Sequence, residues 1–213
     1  MLVILKKSGL YSCLLALLLV FSLPAASDEK KTLLILGDSL SAAYNIPESS
    51  GWVSLLEERM HSQTPEWQVV NASISGETTS GGLTRLPDLL RQYQPEIVLL
   101  ELAGNDGLRG LPPQRITSNL QQMIDLSQEA GAQVLLAGIL LPPNYGRRYL
   151  DEFEKIFPSL AEGNQLPLIP FLLKGVADQP ELMQEDAIHP TAEAQPVILE
   201  TVWEELQPLL DAH

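Results

Sequence analysis

The 213-residue chain carries 27 acidic against 13 basic residues, a formal charge of −14, and a single cysteine, Cys13. So acidic a surface repels phosphate backbones and anionic lipid, which excludes nucleic acid as an expected partner and leaves the acidity as a solubility feature. One cysteine excludes both an internal disulfide and a cysteine-built metal centre.

The chain begins with Lys6 and Lys7, an apolar run from Leu10 to Leu23, small residues Ala25, Ala26 and Ser27, and then charged Asp28-Glu29-Lys30-Lys31. That order reads as a secretory signal peptide over residues 1–27, cleaved near Ala26 or Ser27. An uncleaved anchor is the competing reading, and the run is near the short end for a membrane span. Cleavage leaves residues 28–213, roughly 186 residues and one domain's worth. This mature chain lacks cysteine and has a formal charge of −16, since Lys6 and Lys7 depart with the leader. The expectation is an exported protein, periplasmic or secreted, monomeric and without stable membrane insertion, held together by its core alone.

Continuous apolar runs predict strands at Thr32–Leu36, Gln68–Ala72, Glu96–Leu102, Gln133–Ile139 and a short one around Leu166–Ile169. Such runs suit strands buried on both faces of a parallel sheet. Helical periodicity falls between them, at Trp52/Leu55/Leu56/Met60, Leu83/Leu86/Leu89/Leu90, Ile116/Leu120/Met123/Ile124, Leu150/Phe153/Phe157/Leu160 and Ile198/Val202/Leu206/Leu209. Pro158 is expected to kink or divide the fourth helix, and Pro196 to sit in the opening turn of the fifth. The alternation predicts a three-layer α/β sandwich around a five-stranded parallel sheet, with ligands at the carboxyl ends of the strands.

Four segments at those strand ends carry chemistry. Gly37-Asp38-Ser39-Leu40-Ser41 follows the first strand, and a serine there is either a turn or cap residue or a nucleophile awaiting a base. Asp186-Ala187-Ile188-His189 near the other end supplies a carboxylate and an imidazole on one side of a turn, and His189-Pro190 is read as opening the last helix. Together, Ser39, Asp186 and His189 are the parts of an acyl-enzyme hydrolase. Gly76, read as opening a helix after the second strand, is either an ordinary turn glycine or a close-approach donor to a substrate oxygen. Asn105, after the third strand, is either a turn former or an amide that donates to an oxyanion. Asp38 reads as ordering its loop through backbone amides. No phosphate-loop motif occurs, and the three scattered histidines give no metal site, so neither cofactor nor metal is expected.

In this order, and with Glu101-Leu102-Ala103-Gly104-Asn105-Asp106-Gly107-Leu108-Arg109-Gly110 and Ile188-His189-Pro190, the chain resembles the GDSL, or SGNH, hydrolases. More closely, it resembles the bacterial periplasmic multifunctional acyl-CoA thioesterase I / lysophospholipase L1 / arylesterase group, over essentially the whole mature chain. The resemblance implies a flavodoxin-like fold, no metal, Ser39 as nucleophile, and Gly76 and Asn105 with Ser39 in the oxyanion hole. It also implies Asp186 and His189 as the remaining pair. Fatty acyl thioesters, lysophospholipids and simple aryl or alkyl esters are the implied small-molecule substrates. Ala103 departs from the group's usual glycine, and its methyl is expected to narrow the space beside the oxyanion hole.

An acyl chain needs an apolar trough, for which Leu108, Leu111, Leu141 and Tyr145, with Pro112, Pro113, Leu140, Pro142 and Pro143, stand on the correct end of the sheet. Residues 104–110 read as a mobile loop. Arg109, Arg147 and Arg148 are either head-group contacts or solvated surface arginines. Because the base must be a neutral imidazole, activity is expected to fall as pH drops through its titration. Two alternatives use the same segments: a carbohydrate O-acetylesterase, which would want polar and aromatic subsites, and a non-catalytic ligand-binding domain of the same fold.

Overall fold

The computed structural model describes residues 30–213, so the signal peptide expected over residues 1–27 lies outside the described residues. Five strands, β1 (Lys31–Gly37), β2 (Trp67–Asn71), β3 (Ile97–Glu101), β4 (Gln133–Ala137) and β5 (Leu168–Ile169), form one all-parallel sheet in the order β2-β1-β3-β4-β5. The helices are α1 (Trp52–Gln63), α2 (Thr79–Tyr93), α3 (Gly104–Leu108), α4 (Pro113–Glu129), α5 (Arg147–Glu154), α6 (Ile156–Asn164) and α7 (Gln195–Asp211).

The apolar runs are continuous because alternate side chains feed two separate cores. Leu33, Ile35, Ile97, Leu99, Leu135 and Ile169 pack with Trp52, Leu56 and Met60 of α1 and Ile198, Val202 and Leu206 of α7. Leu34, Leu36, Val98, Leu100, Val134 and Leu136 pack on the other face with residues of α2, α4, α5 and α6. The three-layer sandwich is therefore as expected. Because β2 and β3 flank β1 on opposite sides, the direction of winding reverses between β1 and β3. A crevice opens above that point, and the loops after β1 and β3 border it.

Pro158 divides the fourth helix as expected: α5 ends at Glu154, whose carbonyl would need the N–H that Pro158 lacks, and α6 resumes at Ile156. Two local expectations need correction. The last helix does not open at His189-Pro190. Pro190 bridges Met183, and α7 starts at Gln195 with Pro196 in its first turn. The stretch after β3 is not a mobile loop but begins as the short helix α3. Buried Asp106 pins that helix, taking the N–H of Thr79 at 2.8 Å and its hydroxyl at 2.6 Å and so joining it to the start of α2.

Candidate active site

Ser39 leaves β1 in a turn fixed from several sides. Asp38 Oδ1 accepts the N–H of Leu40 at 3.1 Å, as expected of a loop-ordering aspartate, and the Trp52 indole donates to the Leu40 carbonyl at 3.0 Å. Asp38 Oδ2 has a second use, accepting from the side-chain amide of Asn105 at 3.0 Å. At the far end of the chain, Ala187 adopts a positive φ of 54°. The turn wraps Asp186 so that its Oδ1 takes the N–H groups of both Ile188 and His189 at 3.0 Å.

Asp186 Oδ2 then meets His189 Nδ1 at 2.6 Å, and His189 Nε2 meets Ser39 Oγ at 2.8 Å. The three residues separated by up to 150 positions thus form one continuous hydrogen-bonded line. Partial burial pushes the Asp186 carboxyl up, but the His189 N–H, the imidazole and the Ile188 N–H outweigh it and hold the pKa down at about 2. Tyr44 covers the imidazole with its own ring, centroid to centroid 4.3 Å. Gln184 closes the two loops on each other by donating to the carbonyls of Tyr44 at 3.0 Å and Pro190 at 2.9 Å.

Gly76 does not open α2; it lies ahead of the Thr78 cap, at φ +82°. A Cβ there would touch nothing within 4 Å, so the left-handed backbone, not crowding, calls for glycine. Arg109 donates to the Gly76 carbonyl at 3.2 Å and so steadies that peptide. Among the described residues, the backbone N–H groups of Ser39 and Gly76 donate to no protein acceptor. Asn105 commits one amide N–H to Asp38 and keeps the other.

Ser39, Asn105 and His189 line a cavity of about 660 Å³ together with Leu108, Ile139, Leu140, Leu141, Pro142 and Pro143, while Gly76 is not in its lining. The size suits a small-molecule ligand. Leu111, Tyr145, Pro112 and Pro113 are not in that lining either. Leu111 and Tyr145 pack into the core beside α3, where the Tyr145 hydroxyl donates to the Leu108 carbonyl at 3.1 Å. Ala103 is also absent from the lining; it is fully buried behind the site at φ 109°, so its departure from glycine strains the backbone rather than narrowing the cavity.

The sequence from residue 35 to residue 196 matches the GDSL-like lipase/acylhydrolase family. The chain belongs to that family. It is 52% identical over 193 residues to an arylesterase of Vibrio mimicus, covering 91% of this chain and 96% of the relative. It is 48% identical to thioesterase 1/protease 1/lysophospholipase L1 of Escherichia coli strain K12, over 93% of this chain and 92% of that one. A solved structure of the psychrotrophic esterase EstA from Pseudoalteromonas sp., inhibited by monoethylphosphonate, superposes with a TM-score of 0.81 at 42% identity, covering 85% of this chain and all of EstA. Membership in this acylhydrolase family, with relatives this similar, makes the chain an ester-hydrolysing enzyme.

Within this acylhydrolase, the sequence pattern overlooked two groups near the site. The rest of the cavity lining, including Phe171, Leu173, Lys174, Met183 and Ile188, comes from chain after β5 that has no helical or strand periodicity to announce it. Glu101 at the end of β3 is completely buried beneath the Ser39 loop, and an acid closing an apolar strand gives no signal of its own. Of the arginines considered for a head group, Arg109 is spent on Gly76, while Arg147 and Arg148 are exposed beside Asp151 and Glu152; none of the three lines the cavity.

Proposed function

We propose that Ser39 is the nucleophile of an acyl transfer to water, with fatty acyl thioesters, lysophospholipids and simple aryl or alkyl esters as substrates. The observation that carries this reading is the continuous line Asp186–His189–Ser39 ending at the mouth of an apolar cavity. His189 Nε2 takes the Ser39 proton as Oγ attacks the acyl carbonyl. Asp186 keeps the other ring nitrogen protonated and stabilises the imidazolium. The carbonyl oxygen gathers negative charge among the free N–H groups of Ser39 and Gly76 and the spare amide N–H of Asn105; each such donor is worth about 3 kcal/mol in acyl transfer generally. His189 then returns its proton to the leaving alcohol or thiol, and water activated by the same imidazole releases the acid.

The leucine-, isoleucine- and proline-rich lining supports a fatty acyl chain over a sugar, so acetylated carbohydrate is the weaker reading. The names of the relatives, arylesterase and thioesterase 1/protease 1/lysophospholipase L1, support the same substrate range. We further propose export behind the 1–27 leader and action as a monomer; among the described residues no helix is long and apolar enough to cross a membrane.

The test uses enzyme recovered after export, whose first residue at 27 or 28 checks the leader. It should hydrolyse a p-nitrophenyl ester and a long-chain acyl thioester well and acetylated xylan poorly, and react stoichiometrically with a fluorophosphonate. Ser39→Ala should fold normally and lose at least about 10⁴-fold in kcat and all labelling. Near-native turnover by that variant would remove Ser39 from the chemistry, and preference for acetylated xylan would replace the substrate class.

A further inference from the structure

Glu101 is buried and unused by the proton path above, yet it touches the loop that carries Ser39. Its Oε2 accepts from the Ser41 hydroxyl at 2.7 Å and from the Asp38 N–H at 3.2 Å, one contact on each side of the Ser39–Leu40 segment. Gly37 makes the approach possible, because a Cβ there would stand 2.7 Å from Oε2 and 2.8 Å from Ser41 Oγ. From Asp38 the hydrogen bonds continue: its carboxylate takes the Leu40 N–H at 3.1 Å and the Asn105 amide at 3.0 Å. Gly104 leaves room for that second contact, since a Cβ there would lie 3.2 Å from Asp38 Oδ2.

The consequence is geometric. Once one N–H of a planar amide is tied to Asp38, the direction of the other is fixed. Asn105 can offer a preset donor only if Asp38 itself cannot turn, and Glu101 holds the Asp38 peptide. An apolar residue would fill the space at lower desolvation cost, because Glu101 Oε1 has no partner among the described residues. A buried acid maintained at that cost points to a function beyond packing. Burial and the Asp38 charge push its carboxyl well above the ordinary range, so it can serve as an acceptor without placing a second negative charge beside a developing oxyanion.

We propose that Glu101 is a positioning residue for acyl transfer, acting through Asp38 to fix the Asn105 amide with its spare N–H aimed at the substrate carbonyl oxygen. The proposal rests on the acyl-transfer reading above and deepens it.

The test is a mutant cycle on the full enzyme with a p-nitrophenyl ester. Glu101→Leu should lose about tenfold to a hundredfold in kcat with KM unchanged within twofold, less than the roughly hundredfold to thousandfold cost of removing an oxyanion donor because the amide is misaimed rather than lost. In an Asn105→Ala background the same substitution should cost no more than twofold, because its effect passes through the amide already removed. Glu101→Gln, which keeps an acceptor oxygen, should recover most of the lost kcat. If Glu101→Leu does not fold, Asp38→Asn cuts the same path one step later and should show the same loss and the same silence in the Asn105→Ala background. Wild-type kcat in Glu101→Leu or Asp38→Asn, losses that multiply with Asn105→Ala, or a Gln variant as impaired as the Leu variant would each overturn the proposal. Failure of the acyl-transfer reading itself would look different: the wild-type enzyme would neither label nor depend on Ser39.

Discussion

Two carboxyl sites stand beside Ser39, and their surroundings push them in opposite directions. Asp186 is 41% exposed, sits in a turn that gives it two backbone N–H groups and an imidazole, and is held ionised. Asp38 and Glu101 lie buried behind the serine loop, where desolvation pushes both toward their neutral forms. The difference follows the charge that acyl transfer creates. In the proposed mechanism a positive imidazolium forms next to Asp186, where a fixed negative charge helps, and a negative oxyanion forms over Asn105, where a fully charged carboxyl pair would repel it.

The largest expected effect comes from the exposed side. Asp186→Asn keeps the shape of the turn but loses the acceptor that selects the Nδ1-protonated ring, and should lower kcat/KM by about 10³ to 10⁴-fold. Because Asp186 has a pKa near 2 in the fold, its stabilising contribution is present above the unfolded value and is lost only as pH falls toward 2. A kcat/KM profile for the wild type between pH 4 and 9 should therefore show no step from Asp186. If Asp186→Asn retained a tenth of the activity, the contrast between the two carboxyl sites would have no catalytic meaning.

The buried side predicts a pH effect of opposite sign. Burial raises the Asp38 pKa from 3.8 to about 6, against the opposing N–H of Leu40 and amide of Asn105. An acid raised in the fold holds its proton more tightly there, so its contribution to stability is full below about pH 4 and is lost as pH rises through 6. Asn has no such loss. The stability of Asp38→Asn relative to wild type should therefore improve between pH 4 and pH 8, by on the order of 2 kcal/mol at roughly 1.4 kcal/mol per pKa unit. Urea melts at the two pH values measure it, and a difference independent of pH would mean that the buried pair is not held toward its neutral form.

That same contrast divides what the amino-acid order reveals from what it hides. Asp186 and His189 are three residues apart, so one turn is enough to predict their contact, and Ser39 follows a strand whose apolar run declares itself. Both cores are legible for the same reason, since strands buried on two faces leave uninterrupted leucine, isoleucine and valine. Glu101 is hidden because its partners lie 60 and 63 positions away and its burial cannot be inferred from a charged letter at a strand end. Asn105-Asp106-Gly107 reads as a turn because the Asp106–Thr79 contacts that make it a helix are again long-range. Leu111 and Tyr145 lie in the expected loops, but position in a loop does not say which way a side chain turns.

The smallest expected effect tests how much strain the buried side carries. Ala103 immediately precedes α3, two residues before Asn105, with φ 109° and ψ −12°, a conformation natural to glycine. Holding an alanine there costs about 1–3 kcal/mol. Glycine would relieve the strain but give back up to about 1 kcal/mol in unfolded-chain entropy and about 0.8 kcal/mol for the buried methyl. The terms nearly cancel, so Ala103→Gly should change stability by no more than about 1 kcal/mol in either direction, a shift in Tm within roughly 2–4 °C. Because Ala103 does not line the cavity, KM for long and short acyl esters should change in neither case. A drop in Tm would show that methyl packing outweighs backbone strain. A shift in acyl preference would mean that the start of α3 shapes the acyl pocket after all, and that Asn105 is set by this turn as well as by the carboxyl pair beneath it.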